Sequence, residues 1–187
     1  WIKGPDHAFF DVLTREMGEL PIVVEDLGVI TPQVETLRDR YNFPGMKILQ
    51  FAFSDDATND YLPHNYDANC VVYTGSHDND TTHGWFATIP DHEHEYCIQY
   101  LGKYPQDIAW ELIRLASSSV ALLAIFPLQD VLSLGTEARM NMPGQPNGNW
   151  TWRLKSDQLT DEHAKKLATM SQVYGRLNNP FQTKPAK

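Results

Sequence analysis

Four short apolar segments divide the chain, and a polar stretch follows each of them. They occupy residues 21–24, 46–53, 70–74 and 120–126. Short apolar runs of this kind are typical of strands that are buried on both faces of a parallel sheet. The pattern therefore predicts four strands.

Stretches with helical spacing of apolar residues separate these segments. Thr31 followed by Pro32 is a typical helix start, because threonine caps the first turn and proline fits its first position. Similar spacing predicts helices over residues 6–17, 92–101, 105–118 and 160–174. Strands that alternate with helices in this way indicate parallel βα units, so the sequence predicts an α/β fold.

Composition excludes several classes of partner. Acidic residues outnumber basic ones by 24 to 15, and the formal net charge of −9 opposes binding to nucleic acid. The longest apolar run, residues 120–128, contains Pro127 and is too short to cross a bilayer. Cys70 and Cys97 are too few for a disulfide framework and indicate a reducing compartment such as the cytoplasm. Because the chain begins at Trp1, we expect it to be part of a longer protein.

Chemically active side chains follow the apolar segments, at the end where ligands bind in parallel α/β proteins. Glu25 comes directly after the first segment. A carboxyl at the rim of an apolar core is desolvated, which favours its protonated form and suits a proton donor. The alternative is that Glu25 caps the next loop or pairs with an arginine such as Arg38. Asp26 precedes Leu-Gly, a position typical of a turn.

A cluster of four polar residues, 77–80, follows the third apolar segment. His77 beside Asp78 could bind sugar hydroxyls, with Asp78 facing a developing positive charge. Oxygen atoms of Asp78, Asn79 and Asp80 could instead bind a divalent metal ion. A turn is the third interpretation, because Asn and Asp bond to their own backbone. These four residues alone leave the choice open.

Other common chemistries lack support in the sequence. The histidines do not have the spacing to cysteine that a structural zinc site needs. A glycine-rich phosphate loop and a Gly-x-Ser-x-Gly nucleophile turn are both missing. Trp85, Trp150 and Trp152 could stack on sugar rings or pack in a core.

Four motifs resemble those of one enzyme family, in the same order along the chain. They lie within residues 21–31, 44–53, 73–85 and 138–153. The chain resembles the 4-α-glucanotransferases (amylomaltase, or disproportionating enzyme), family 77 of the glycoside hydrolases. Ser76 stands where the family usually has threonine, which is a conservative difference. Four separate motifs spread over most of the chain make the resemblance specific.

The resemblance implies a (β/α)₈ barrel of the TIM type. A complete barrel takes about 250 residues. Residues 1–187 would therefore form a single partial domain, the C-terminal half of the catalytic barrel with strands five to eight, plus a C-terminal helical segment.

The resemblance also implies an activity and the residues that perform it. The family transfers α-1,4-glucan segments between maltooligosaccharides by a retaining double displacement, and needs no metal or other cofactor. Glu25 is similar to the general acid/base and Asp78 to the carboxylate that stabilises the transition state. His77 is similar to a sugar-binding neighbour, and Asp26 and Asn141 are weaker candidates for glucan contact.

One part of the family's machinery is missing from the sequence. The nucleophilic aspartate lies after strand four in an Arg-x-Asp-His type motif, and residues 4–7, the nearest match, lack the arginine. We therefore expect this chain to be inactive alone. A hydrolase of the α-amylase group and a non-catalytic glucan-binding module are the alternatives. If the source is a plant, the plastid stroma replaces the cytoplasm as the expected location.

Overall fold

The computed structural model describes residues 2–177, and within them three strands form one parallel sheet. The strands are β1 (Gly45–Ile48), β2 (Cys70–Tyr73) and β3 (Leu123–Ile125), in the spatial order β1-β2-β3. Gly45 lies opposite Cys70, and Val71 lies opposite Leu123. Because all three strands run in the same direction, the loops that follow them emerge at one edge of the sheet.

Seven helices accompany the sheet within the same residues. They are α1 (His7–Met17), α2 (Pro32–Arg40), α3 (Thr82–Thr88), α4 (Asp91–Leu101), α5 (Ile108–Ser118), α6 (Leu128–Val131) and α7 (Asp161–Val173). The five predicted helices are confirmed, whereas the short helices α3 and α6 are additional. Helix α5 begins later than predicted because Asp107 caps it, accepting a hydrogen bond from the Trp110 backbone N–H.

The first apolar segment, residues 21–24, is not a strand, so the prediction of four strands is wrong for this segment. One backbone hydrogen bond, from Val24 N to the Pro44 carbonyl at 3.0 Å, joins it to the residue before β1. Val23 is 39% exposed, so the segment is not buried on both faces. It is extended chain beside the sheet, since a single hydrogen bond does not make a ladder.

Two other strands are shorter than their apolar segments. Strand β1 ends at Ile48 because a 3₁₀ turn, Leu49–Phe51, follows directly. Strand β3 occupies only the second half of its segment, and Val120 and Ile125 are 60% and 43% exposed. The expectation that the fourth segment is fully buried is therefore wrong at both ends.

The core lies between the sheet and helices α4 and α5, and holds the strands in place. Leu49, Phe53 and Leu112 are buried in one cluster together with both cysteines. Burial raises the pKa of the Cys70 thiol to about 11 and that of Cys97 to about 12. Both cysteines are free thiols.

Bilayer crossing requires a helix that is both long and apolar, and none of the helices within residues 2–177 meets that requirement.

Candidate active site

A cavity of about 1140 Å³ opens at the edge of the sheet where the strands end. Glu25, from the extended segment beside β1, and His77 and Asp78, from the loop after β2, all line it. Residues that follow β3, including Gln129 of α6, complete this side. The two carboxylates that the sequence singles out, 53 residues apart along the chain (78 − 25), thus share one cavity.

The loop that carries Asp78, residues 75–81, is held in a tight turn by its own side chains. Oδ1 of Asn79 accepts hydrogen bonds from the Ser76 backbone N–H at 2.9 Å and from the Ser76 hydroxyl at 2.8 Å. The Asp78 backbone N–H donates to the Ser76 hydroxyl oxygen at 3.2 Å. Asn79 therefore holds the turn and also lines the cavity, as Asp78 and His77 do, so the turn and binding interpretations are compatible.

Asp78 uses one carboxylate oxygen within the protein. Its Oδ1 accepts a hydrogen bond from Nδ2 of Asn141 at 2.6 Å and lies 3.3 Å from Nε2 of His77. Its Oδ2 has no hydrogen-bond partner among residues 2–177. The side chain is 45% exposed, so this second oxygen is available to a ligand in the cavity.

A segment after β3 fixes the backbone of His77 and Asp78. The Arg139 guanidinium donates to the Asp78 carbonyl at 2.7 Å and to the Asn141 carbonyl at 2.8 Å. The Asn141 backbone N–H donates to the His77 carbonyl at 3.1 Å. Arg139 lines the cavity, but Asn141 does not. The Asn141 side chain is therefore directed towards Asp78, and its glucan contact stays a prediction.

Trp150 supplies an aromatic wall of the cavity. Its ring centroid lies 5.0 Å from that of His77, and its backbone N–H donates to the Met140 carbonyl at 2.7 Å. Trp150 is 52% exposed, so its ring can contact a ligand. Trp85, by contrast, packs on Phe53 in the core, with ring centroids 5.9 Å apart.

Four further aromatic residues line the cavity, and the sequence did not single them out as ligand contacts: Phe51, Tyr61, Tyr73 and Phe126. Phe51 and Tyr61 pack edge to face, with ring centroids 5.4 Å apart. Phe51 belongs to the motif of residues 44–53, but an apolar side chain there is equally typical of a core. Apolar rings that face a cavity favour ligands with apolar faces, which sugar rings have.

Asp26 is held by other residues of the chain, and its glucan contact stays a prediction. Its Oδ2 lies 2.7 Å from Nη1 of Arg38, and its Oδ1 accepts a hydrogen bond from the Met46 backbone N–H at 2.7 Å. The side chain is 9% exposed and does not line the cavity. Asp26 therefore ties the extended segment to α2 and β1.

Glu25 does not form the ion pair with Arg38 that sequence reasoning left open, because Asp26 holds that arginine. Glu25 is exposed, so the apolar rim that was expected to desolvate it does not surround it in this chain. Its carboxylate has no ion-pair partner within residues 2–177, and the residue lines the cavity.

The metal interpretation of residues 77–80 is not supported. In the part of the chain that the structure describes, no group of three or more His, Cys, Asp or Glu side chains could hold a metal ion. The carboxylate of Asp80 accepts hydrogen bonds from the Thr81 backbone N–H at 2.7 Å and from the Thr136 hydroxyl at 2.8 Å. Both oxygens of Asp80 thus accept hydrogen bonds from other residues of the chain.

The curated proteins with similar sequences include several that are named 4-alpha-glucanotransferase. The Synechocystis 4-alpha-glucanotransferase is 55% identical over 179 residues, which cover 94% of this chain and 35% of that protein. The Thermus thermophilus 4-alpha-glucanotransferase is 50% identical over 185 residues, which cover 95% of this chain and 37% of that protein. This chain therefore spans little more than a third of the length of these curated relatives.

A solved structure agrees with the sequence relatives. The amylomaltase from Streptococcus agalactiae in complex with acarbose superposes with a TM-score of 0.91 at 34% identity, covering 95% of this chain and 36% of that one. The family model described as 4-alpha-glucanotransferase, Glyco_hydro_77, matches residues 1–160. With its motifs, its cavity and these relatives in agreement, the chain belongs to glycoside hydrolase family 77, the 4-alpha-glucanotransferases.

Proposed function

We propose that the protein containing this chain transfers α-1,4-glucan segments between maltooligosaccharides with retention of configuration. The observation that carries the proposal is the position of Glu25 and Asp78 on one cavity, whose wall includes His77 and Trp150. Family membership supports the same reaction. The partners are therefore α-1,4-glucans, which the cavity would hold against its aromatic residues.

Glu25 is the proposed general acid and base. A retaining transfer needs two carboxyl groups about 5–5.5 Å apart, one acting as nucleophile and the other as acid and then base. Glu25 would protonate the glycosidic oxygen while an aspartate from the rest of the protein attacks the anomeric carbon. The leaving glucan departs, and Glu25, now a carboxylate, removes the proton from the 4-hydroxyl of an acceptor glucan, which takes over the glycosyl group.

Asp78 is the proposed stabiliser of the transition state. The anomeric centre passes through an oxocarbenium-like state that carries positive charge. The unpartnered Oδ2 of Asp78 is the oxygen that would face this charge, because Oδ1 is held by Asn141. A carboxylate that is held in a fixed position stabilises such charge without reorganising during the reaction. His77 would hold a sugar hydroxyl beside it.

The architecture of the whole protein is part of the same proposal. We infer that the three parallel strands and the extended segment 21–24 belong to the second half of a (β/α)₈ barrel, as strands five to eight. In such a barrel the carboxyl ends of the strands carry the active site, which is where the cavity lies. A barrel neighbour on the open side of residues 21–24 would supply the hydrogen bonds that this segment lacks. The two free cysteines support a reducing location, the cytoplasm or a plastid stroma.

The test uses an intact protein, the hybrid enzyme, in which this chain replaces the matching segment of the Thermus thermophilus relative. It is incubated with maltotriose, and the products are separated by length. Transfer yields glucose together with chains longer than maltotriose, because the acceptor outcompetes water. Products that are all shorter than the substrate would identify a hydrolase of the α-amylase group. Glucan binding without turnover would identify a non-catalytic binding module.

A further inference from the structure

Asp130 is a buried carboxylate that the proposed reaction does not use. It lies in α6, directly after β3, and its side chain is 1% exposed. It has no ion pair with a lysine, arginine or histidine in the residues that the structure covers. A buried charge is costly unless its hydrogen bonds compensate, so its partners indicate what the group does.

The partners of Asp130 are the two residues that flank the 75–81 loop. Thr74, at the end of β2, donates its hydroxyl to Oδ2 at 2.5 Å. Thr82, the first residue of α3, donates its hydroxyl to Oδ2 and its backbone N–H to Oδ1, both at 2.8 Å. One carboxylate therefore holds the residue before the loop and the residue after it.

Gln50 braces the same loop from the side of β1. Its backbone N–H donates to the Thr74 carbonyl at 3.2 Å, and its side-chain amide donates to the Asp80 carbonyl at 3.0 Å. Gln50 is 4% exposed. Buried groups therefore fix both ends of the loop. They set its position, and that of Asp78 within it, from beneath the cavity.

We propose that Asp130 is a positioning residue for Asp78: it fixes both ends of the 75–81 loop and thereby the orientation of the Asp78 carboxylate in the cavity. This inference rests on the proposed function, because it matters only if Asp78 acts on the transition state. Asp130 does not line the cavity and touches no substrate. Its effect is expected in kcat, since a misplacement of about 1 Å in a catalytic group costs about 100-fold in rate.

The experiment compares three substitutions in the hybrid enzyme by their kcat and KM for maltotriose. Asp130→Ala leaves three buried donors without their acceptor, and we expect kcat to fall about 10-fold to 100-fold with KM within about threefold. Asp130→Asn keeps an acceptor for the Thr82 N–H, and recovers part of the lost kcat. Thr74→Val removes one hydroxyl from the cluster while nearly preserving shape, and lowers kcat about threefold to tenfold.

A matched control separates positioning from loss of stability. Leu112 is fully buried in the core and does not line the cavity. Leu112→Ala lowers the melting temperature through a cavity in the core, yet we expect its kcat to stay within about threefold of the unsubstituted enzyme. All assays are run below the melting temperature of the least stable variant.

Two results would overturn the positioning role of Asp130 and leave the proposed function intact. One is an Asp130→Ala enzyme that keeps kcat within about threefold, and the other is a Leu112→Ala enzyme that loses as much kcat at equal melting temperature. If Asp130→Ala does not fold, Thr74→Val decides, and an unchanged kcat there rejects the role. An unsubstituted hybrid enzyme without transfer activity would overturn the proposed function, and the positioning role with it.

Discussion

The side-chain amide of Asn141 donates a 2.6 Å hydrogen bond to Oδ1 of Asp78, although the two residues lie 63 positions apart along the chain. A short hydrogen bond to a carboxylate is among the stronger polar contacts in proteins. It holds one oxygen of Asp78 and leaves the other facing the cavity. Asn141 thus selects which oxygen of Asp78 is presented to a substrate.

Substitution of Asn141 tests this arrangement in the hybrid enzyme. Asn141→Ala removes the anchor of Asp78, and we expect kcat to fall about tenfold, with a smaller change in KM. Asn141→Asp places a second carboxylate beside Asp78, so one of the two must take up a proton. We expect this variant to lose more activity than Asn141→Ala and to shift its pH profile, measured as kcat against pH. An Asn141→Asp enzyme with unchanged kcat and pH profile would contradict the role.

Gly75, the first residue of the 75–81 loop, has no space for a side chain. An added Cβ would lie 2.6 Å from Nε2 and 3.0 Å from Cδ of Gln50, which is itself buried and hydrogen-bonded. We expect Gly75→Ala to cost about 1–3 kcal/mol of stability and to lower kcat. Gly4→Ala is the matched control, because an added Cβ there meets nothing within 4 Å. Equal melting temperatures and equal kcat for the two variants would show that the loop is not tightly held.

Glu111 links stability to pH through two cations. Its Oε1 lies 2.5 Å from Nζ of Lys103, and its Oε2 lies 3.0 Å from Nε of Arg114. Burial alone would raise the pKa of Glu111, but the hydrogen bonds from Lys103 and Arg114 outweigh it and lower the pKa. A carboxyl whose pKa is lowered in the folded state stabilises the fold above its unfolded pKa of about 4.3.

The sign of the effect follows from this linkage. The stabilisation by Glu111 is present near neutral pH and is lost as the pH falls through the folded-state pKa. We expect Glu111→Gln to cost about 1 kcal/mol at about pH 7 and less at about pH 4. Thermal unfolding of the Glu111→Gln variant and of the unsubstituted protein, at the two pH values, measures this difference in stability. A gap in melting temperature that widens on acidification would contradict the assignment.

The isolated chain is expected to be inactive. It contains Glu25 and Asp78, but its sequence has no Arg-x-Asp-His type motif that could provide the nucleophile. Removal of a nucleophile costs many orders of magnitude in rate, since the remaining groups act only together with it. Maltotriose incubated with the isolated chain should therefore remain intact under conditions in which the hybrid enzyme converts it. Robust turnover by the isolated chain would reject the half-barrel account.

Local signals were sufficient for much of the fold. Thr31 and Pro32 predict the start of α2, and Pro32 is indeed its first residue, because the fixed φ of proline suits that position, although the Thr31 side chain makes no capping hydrogen bond. The prediction of a strand over residues 21–24 was wrong because a strand also depends on its neighbours. In that segment only Val24 makes a hydrogen bond to the chain beside it. Short apolar runs specify extended chain, whereas a ladder is a property of two segments.

The candidate site was less predictable than the fold. The sequence left open a pair between Glu25 and Arg38 and did not identify Asp26 as the partner of Arg38, because it does not show which side of the chain faces the cavity. Glu25 lines the cavity while Asp26 contacts Arg38, so these neighbouring side chains have different surroundings. The contact of Asn141 with Asp78 joins distant parts of the chain, and no local pattern encodes it.

The central claim is that Glu25 and Asp78 act on one glucan in one cavity, and Glu25→Gln in the hybrid enzyme tests it most directly. The substitution keeps the size of the side chain but cannot donate and then accept the proton. The measurement is the initial rate of maltotriose disproportionation, with maltotriose affinity determined by calorimetry on the same samples. The account predicts that transfer is abolished while the affinity persists. An enzyme with Glu25→Gln that transfers at an unchanged rate would contradict it.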